Sequence, residues 1–194
     1  MISELKKNYK RSYESLKKKF LTDHNNSKFL RSHSHLIDQL LKKLWINCGI
    51  KNESSLVAVG GYGRKELFPF SDIDILVLVD SKLNSTEKIE KFIAQCWDIG
   101  LKIGHSVRDL SETVREFNKD VKTATNLLDS RYLCGSKKHF RDLESSIRKE
   151  INPKKFYLEK IEDKNGEVIV SVSKAQKIKG WYILEKAFEA NENV

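Results

Sequence analysis

Apolar positions recur along this chain with two different spacings, and the points where one gives way to the other divide it into elements. Residues 3–20 and 28–47 carry a helical spacing, separated by a loop at 23–27, and the second stretch sets Leu36, Ile37, Leu40, Leu41, Leu44 and Trp45 along one face. A short apolar run, Leu56-Val57-Ala58-Val59, ends at Gly60-Gly61, after which Tyr62 to Leu67 can begin a helical turn. Beyond Pro69, the alternation of Ile73, Ile75, Val77 and Val79 predicts a strand with these four side chains directed into a core. Residues 85–98 read as a helix through Ile89, Phe92, Ile93, Cys96 and Trp97. Leu101, Ile103, His105 and Val107 then alternate with Lys102, Gly104, Ser106 and Arg108, a strand expected beside the one at 73–79. From Asp120 onward the pattern is mainly helical. One apolar stripe is Leu127, Leu128, Tyr132 and Leu133, a second is Phe140, Leu143 and Ile147, and a third is Ile178, Trp181, Tyr182, Leu184 and Phe188. Asn165-Gly166 signals a turn ahead of a short strand at 167–172.

This order predicts an α+β fold: a small mixed β-sheet packed with helices, flanked by N-terminal and C-terminal helical segments. The expected division is an N-terminal helical segment at 1–50, a core with its following helices at 51–150, and a mainly helical segment at 151–194, with Pro153 near the last boundary. A chain of 194 residues is long enough for one such core with a small companion. The net charge of +9 favours anionic ligands or an acidic partner surface. Nucleic acid is the less favoured partner, because aromatic residues are not interleaved with the basic ones as a stacking platform requires. Cys48, Cys96 and Cys134 are odd in number and widely spaced, which fits small buried residues in a reducing compartment. The N-terminus alternates in charge and no long apolar stretch occurs, so neither a signal peptide nor a membrane span is expected, and the expected location is cytoplasmic. His33 and His35 are two apart, which directs them to different sides of a helix and argues against a metal pair.

Candidate chemistry is concentrated in GGYGRKELFPFSDIDILVLVD, residues 60–80. Asp72 and Asp74 fall on one face of the strand and repel each other unless a cation lies between them. Hard carboxylate oxygens suit Mg2+ (or Mn2+), and magnesium is typically held by one or two carboxylates together with substrate phosphates. Gly60 and Gly61 allow the backbone to approach a ligand, and a helix start offers unpaired N–H groups to phosphate oxygens. Arg64 adds a fixed positive charge, and Ser71 is placed to bind a phosphate or cap the strand entrance. Alone, a Gly-Gly pair is most often a tight turn and an Asp-x-Asp is most often solvated. Their fixed order within twenty-odd residues, ahead of a buried strand, makes a metal–nucleotide site the stronger reading.

That string resembles the signature of the DNA polymerase β-like nucleotidyltransferase superfamily, and more closely the N-terminal catalytic domain of bacterial PII protein uridylyltransferases. The likeness continues through Trp97-Asp98-Ile99-Gly100-Leu101-Lys102-Ile103-Gly104-His105-Ser106-Val107-Arg108 and through Thr123-Ala124-Thr125-Asn126-Leu127-Leu128-Asp129-Ser130-Arg131-Tyr132-Leu133-Cys134-Gly135, covering about residues 56–135. One departure is Lys65, where the family usually carries glycine. After about residue 150 the likeness fades. The family's enzymes are much longer, and without a His-Asp dipeptide this chain offers no candidate residues for removing uridylyl groups.

The resemblance implies metal-dependent transfer of a nucleoside monophosphate, UMP from UTP, onto a tyrosine hydroxyl of a PII-type signalling protein with release of pyrophosphate. Asp72 and Asp74 would hold the metal, and Gly60, Gly61, Arg64 and Ser71 would orient the triphosphate. A third carboxylate in this superfamily generally comes from a neighbouring strand. Asp109 is a geometric candidate at the end of the second strand pattern, while Asp120 fits the family string better but sits at a helix start, where an N-cap is the ordinary role. Two alternatives stay open: an adenylyl-transferring or minimal nucleotidyltransferase acting on tRNA or a toxin, and a non-catalytic nucleotide-binding regulatory module.

Overall fold

The computed structural model describes residues 2–50, 53–80 and 86–151. Two long helices, α1 (Ile2–Asp23) and α2 (Asn26–Asn47), come first and pack against each other. Only two residues separate them, fewer than the loop expected at 23–27, because Asn25 caps α2 by accepting a hydrogen bond from the Lys28 N–H at 2.9 Å. Then follow β1 (Ser54–Ala58), the one-turn helix α3 (Gly60–Gly63), β2 (Ile73–Val79), α4 (Thr86–Ile99), β3 (Ile103–Arg108), α5 (Leu110–Lys119), α6 (Val121–Leu128), β4 (Arg131–Gly135) and α7 (Lys137–Glu150). The fold is α+β, as the hydrophobic pattern implies.

The strands form one mixed sheet in the order β3-β2-β1-β4. β1 pairs antiparallel with both β2 and β4, while β2 and β3 run parallel. A parallel pair needs a long crossover, and α4 supplies it. Register places Ile73, Ile75 and Val77 on the face that joins Leu56, Ala58, Leu41, Leu44, Trp45 and Phe92 in the main core. Trp45 meets Phe92 edge-on, with ring centroids 5.3 Å apart. The other face is buried as well: Leu76 and Leu78 are each 1% exposed, so β2 is covered on both sides beyond Asp74.

The structure corrects one expectation. The stripe assigned to Leu127, Leu128, Tyr132 and Leu133 breaks at Asp129, and residues 131–135 form the edge strand β4. A bulge between Leu56 and Val57 in the pairing with β4 leaves Leu133 outside the ladder, and that side chain is buried in the core. The alternation at 101–108 marks a strand beside β2, as expected; because β3 is the other edge of the sheet, His105 and Val107 are exposed there. His105 packs beside Trp97 of α4.

Of the two histidines on α2, His33 is buried with Nδ1 3.1 Å from the Leu67 carbonyl, and exposed His35 pairs with Gln39. Cys48 and Cys96 are buried and Cys134 is partly so, all three as free thiols. Among the described residues no helix is long and apolar enough to cross a membrane. By its internal contacts the chain divides into Met1–Ile147 and Arg148–Val194, and α1 and α2 belong with the sheet in the first unit. The stripe at 178–188, the Asn165-Gly166 turn and the strand expected at 167–172 lie outside the described residues.

Candidate active site

The glycine turn is built by a sharp stop. β1 ends at Ala58, Val59 keeps extended backbone, and Gly60 opens α3 with φ +58, a left-handed value that favours glycine. After one turn the chain leaves α3 through paired bonds, Glu66 N–H to Gly61 C=O at 2.9 Å and Lys65 N–H to Tyr62 C=O at 3.1 Å. This is the Schellman arrangement, whose residue after the cap is left-handed and usually glycine. Here it is Lys65, with φ +62. The departure that the resemblance implies at Lys65 thus falls where the backbone itself favours glycine.

Asp74 stands on β2 between two glycines. A β-carbon on Gly104, its register partner on β3, would lie 2.4 Å from Asp74 Oδ1, and one on Gly60 would lie 3.7 Å from Oδ2. The carboxylate therefore occupies space that any other residue at 104 would fill. Asp72 sits just before β2, exposed, and its charge reaches Asp74. Partial burial pushes the Asp74 carboxyl above the usual carboxylate range, Asp72 pushes it further the same way, and Lys122 opposes both. The acid pair is thus brought together at the turn, with one member half-sheltered and the other open to solvent. Hard oxygens under mutual repulsion beside a glycine cradle are a donor set that fits a divalent cation.

Arg64 caps α3 and is held by two acids: Nε donates to Glu66 at 2.8 Å, and Nη1 pairs with Asp129. Its remaining terminal nitrogen, Nη2, lies 3.9 Å from where a β-carbon on Gly61 would be. Ser71 is exposed in the loop before Asp72, and its N–H closes a turn onto the Phe68 carbonyl at 3.2 Å. Asp109 and Asp120 each cap a helix. Asp109 accepts from the Glu112 N–H and the Ser111 hydroxyl, both at 2.8 Å, at the start of α5. Asp120 accepts from the Thr123 N–H at 2.7 Å at the start of α6. These bonds hold both carboxyls below the usual range, led by the Glu112 N–H for Asp109 and by Thr123 for Asp120.

Four contributors went unassigned from sequence. Asp38 of α2 accepts the Tyr62 hydroxyl at 2.6 Å and binds the Arg131 guanidinium through both oxygens, at 2.7 and 3.0 Å. Arg131 also donates to the backbone carbonyls of Tyr62 and Gly63, so the exit of α3 is tied to α2 and β4 at once. Burial, then the Asp38 charge, raise the Tyr62 hydroxyl well above its ordinary value, which keeps it a donor. A signal for Asp38 exists in the sequence: it is an acid on the same helical stripe as Leu41 and Trp45, a placement that demands a partner. The fourth is Asn126 of α6, whose Oδ1 lies 3.3 Å from the position of a β-carbon on Gly60. It falls inside a string quoted for its likeness to a family, without a role of its own.

A family model described as "Nucleotidyltransferase domain" matches residues 37–134. The chain is similar to proteins named bifunctional uridylyltransferase/uridylyl-removing enzyme. It is 37% identical over 155 residues to that of Nitrosospira multiformis, covering 76% of this chain and 18% of the relative. The likeness to the Vibrio campbellii protein is 43% over 150 residues, covering 75% and 17%. For Hydrogenovibrio crunogenus it is 43% over 140 residues, covering 64% and 16%. The chain thus spans under a fifth of the length of these curated relatives.

Proposed function

Because the chain belongs to the nucleotidyltransferase domain family, we propose that it transfers UMP from UTP to a tyrosine hydroxyl of a PII-type signalling protein, releasing pyrophosphate, in the cytoplasm. The observation that carries this reading is the seat of Asp74, pressed between Gly60 and Gly104 with Asp72 beside it. The relatives' name supplies the uridylyl group, and the glycine turn supplies a place for phosphates next to the acids.

Asp72 and Asp74 would hold Mg2+ or Mn2+, whose charge, when bound, lowers the pKa of the acceptor hydroxyl and stabilises the leaving pyrophosphate. The protein's own part is position and electrostatics. Gly60 and Gly61 let the triphosphate lie against the backbone, and Arg64 turns Nη2 toward that backbone while Glu66 and Asp129 fix its plane. Ser71, exposed two residues before the Ile73 start of β2, would assist in holding a phosphate. The acceptor oxygen attacks the α-phosphorus, the bond to the bridging oxygen breaks, and pyrophosphate departs. Asp109 and Asp120, already committed to helix starts, fit a structural role better than a third metal ligand.

The test uses α-labelled UTP with a PII-type protein, against ATP, CTP and GTP in parallel and tRNA as a competing acceptor. Label should pass from UTP to the protein, and Asp72→Asn or Asp74→Asn should abolish transfer with the fold intact by circular dichroism. Transfer retained in both variants would refute the acid-pair mechanism, and preference for ATP or tRNA would reassign donor or acceptor.

A further inference from the structure

Arg64, the cation nearest the glycine turn in sequence, has its charge balanced by Glu66 and Asp129 before any anion arrives. Asp72 and Asp74 add negative charge to the same opening. A triphosphate entering there needs positive charge that the protein has not already neutralised.

Helix α6 packs against α3 at the glycine turn. Its apolar residues Ala124 and Leu127 are buried, which leaves Lys122 and Asn126, four residues apart, on a common side. The Asn126 carboxamide and the Asp74 carboxylate converge on the Gly60 α-carbon, 3.3 and 3.7 Å from the position a β-carbon would take. Lys122 is exposed, and its charge is felt at Asp74. Among the described residues, neither the Lys122 ammonium nor the Asn126 carboxamide has a hydrogen bond or ion pair to the protein. Two polar groups beside the turn are therefore available to a ligand, and one of them carries a net charge.

We infer that Lys122 and Asn126 of α6 bind the triphosphate: the Lys122 ammonium neutralises phosphate charge, and the Asn126 carboxamide, whose Oδ1 faces Gly60, donates a hydrogen bond through Nδ2 to a phosphate oxygen beside the turn. The inference rests on the nucleotidyltransferase reading and extends its site to a third wall. It divides labour between the two cations, with Arg64 shaping the turn and Lys122 supplying the unbalanced charge.

Isothermal titration calorimetry of the full chain with Mg2+-tripolyphosphate and Mg2+-UTP tests it, using Lys122→Gln, Asn126→Ala and the remote control Lys43→Gln. Lys122→Gln should weaken both probes about tenfold and flatten the salt dependence, and Asn126→Ala should weaken both by roughly threefold or more. Lys43→Gln should match the wild type, and all three should keep its melting temperature. Affinities within about twofold of wild type in both α6 variants would overturn the inference while leaving the acid-pair reading intact. Weakening confined to UTP, with tripolyphosphate unaffected, would move the contact off the phosphates and overturn it too. Failure of the wild type to bind either probe would sink the underlying nucleotidyltransferase reading as well.

Discussion

Lys65 carries a left-handed backbone without glycine's freedom, at φ +62 in the residue that follows the α3 cap. That conformation costs an L-residue roughly 1–2 kcal/mol. Glycine would relieve it but is freer in the unfolded chain, which returns roughly 0.5–1 kcal/mol. Lys65→Gly is therefore expected to stabilise by about 0.5–1 kcal/mol, and Lys65→Val to destabilise, both read from urea midpoints. Asp74 is the second residue held at a cost. Its folded carboxyl sits above the ordinary range through burial and the Asp72 charge. A raised carboxyl favours the folded state below its unfolded pKa, and that contribution is lost as pH rises through the folded value. Asp74→Asn should thus melt higher than wild type at neutral pH without metal, with the advantage shrinking on acidification. A melting curve at several pH values checks it; a wild-type advantage at neutral pH would contradict it. The residue types at both positions were legible in the sequence. The reasons were not, because a dihedral sign and a carboxylate's depth depend on contacts made elsewhere in the chain.

At the level of elements, α6 depends on its cap. Asp120→Ala should cost about 1 kcal/mol by losing the acceptor for the Thr123 N–H, whereas Asp120→Asn should cost little. Because Thr123 holds the Asp120 carboxyl low, its contribution is present above the unfolded carboxylate pKa and fades as pH falls through the lower folded value. Chemical denaturation at neutral and acid pH, compared across the two variants, would show that loss in wild type alone. The cap was readable at Asp120, which the sequence places at a helix start, but not at Asp109, which stands at the end of a strand pattern and was a metal candidate although it too caps a helix. β2, α2 and α4 were readable, since each carries a strong period over many residues. β4 was not. Five residues with a bulge offer too little alternation, and Leu127, Leu128, Tyr132 and Leu133 imitate a helical stripe until pairing with β1 decides the matter.

For the molecule as a whole, the Asp38–Tyr62–Arg131 cluster joins parts of the chain that no local pattern connects. Arg131→Ala would leave Asp38 charged and largely enclosed, at an expected cost of about 3 kcal/mol, and would free the exit of α3 from β4. Thermal unfolding should register the cost. Asp38→Asn/Arg131→Met together should recover part of it, since no buried charge is then left alone. The fold class emerged from periodicity, yet this tie did not, because an arginine and an aspartate 93 residues apart share no signal in a single sequence. Their separation also governs when the protein becomes competent. On a ribosome, the glycines and both acids emerge while the Arg131 codon is still unread, so the nascent chain displays every group of the bend before it can hold them in order. The bend is accordingly held in order only once β4 has been made, and chains released short of it carry the signature without the tie.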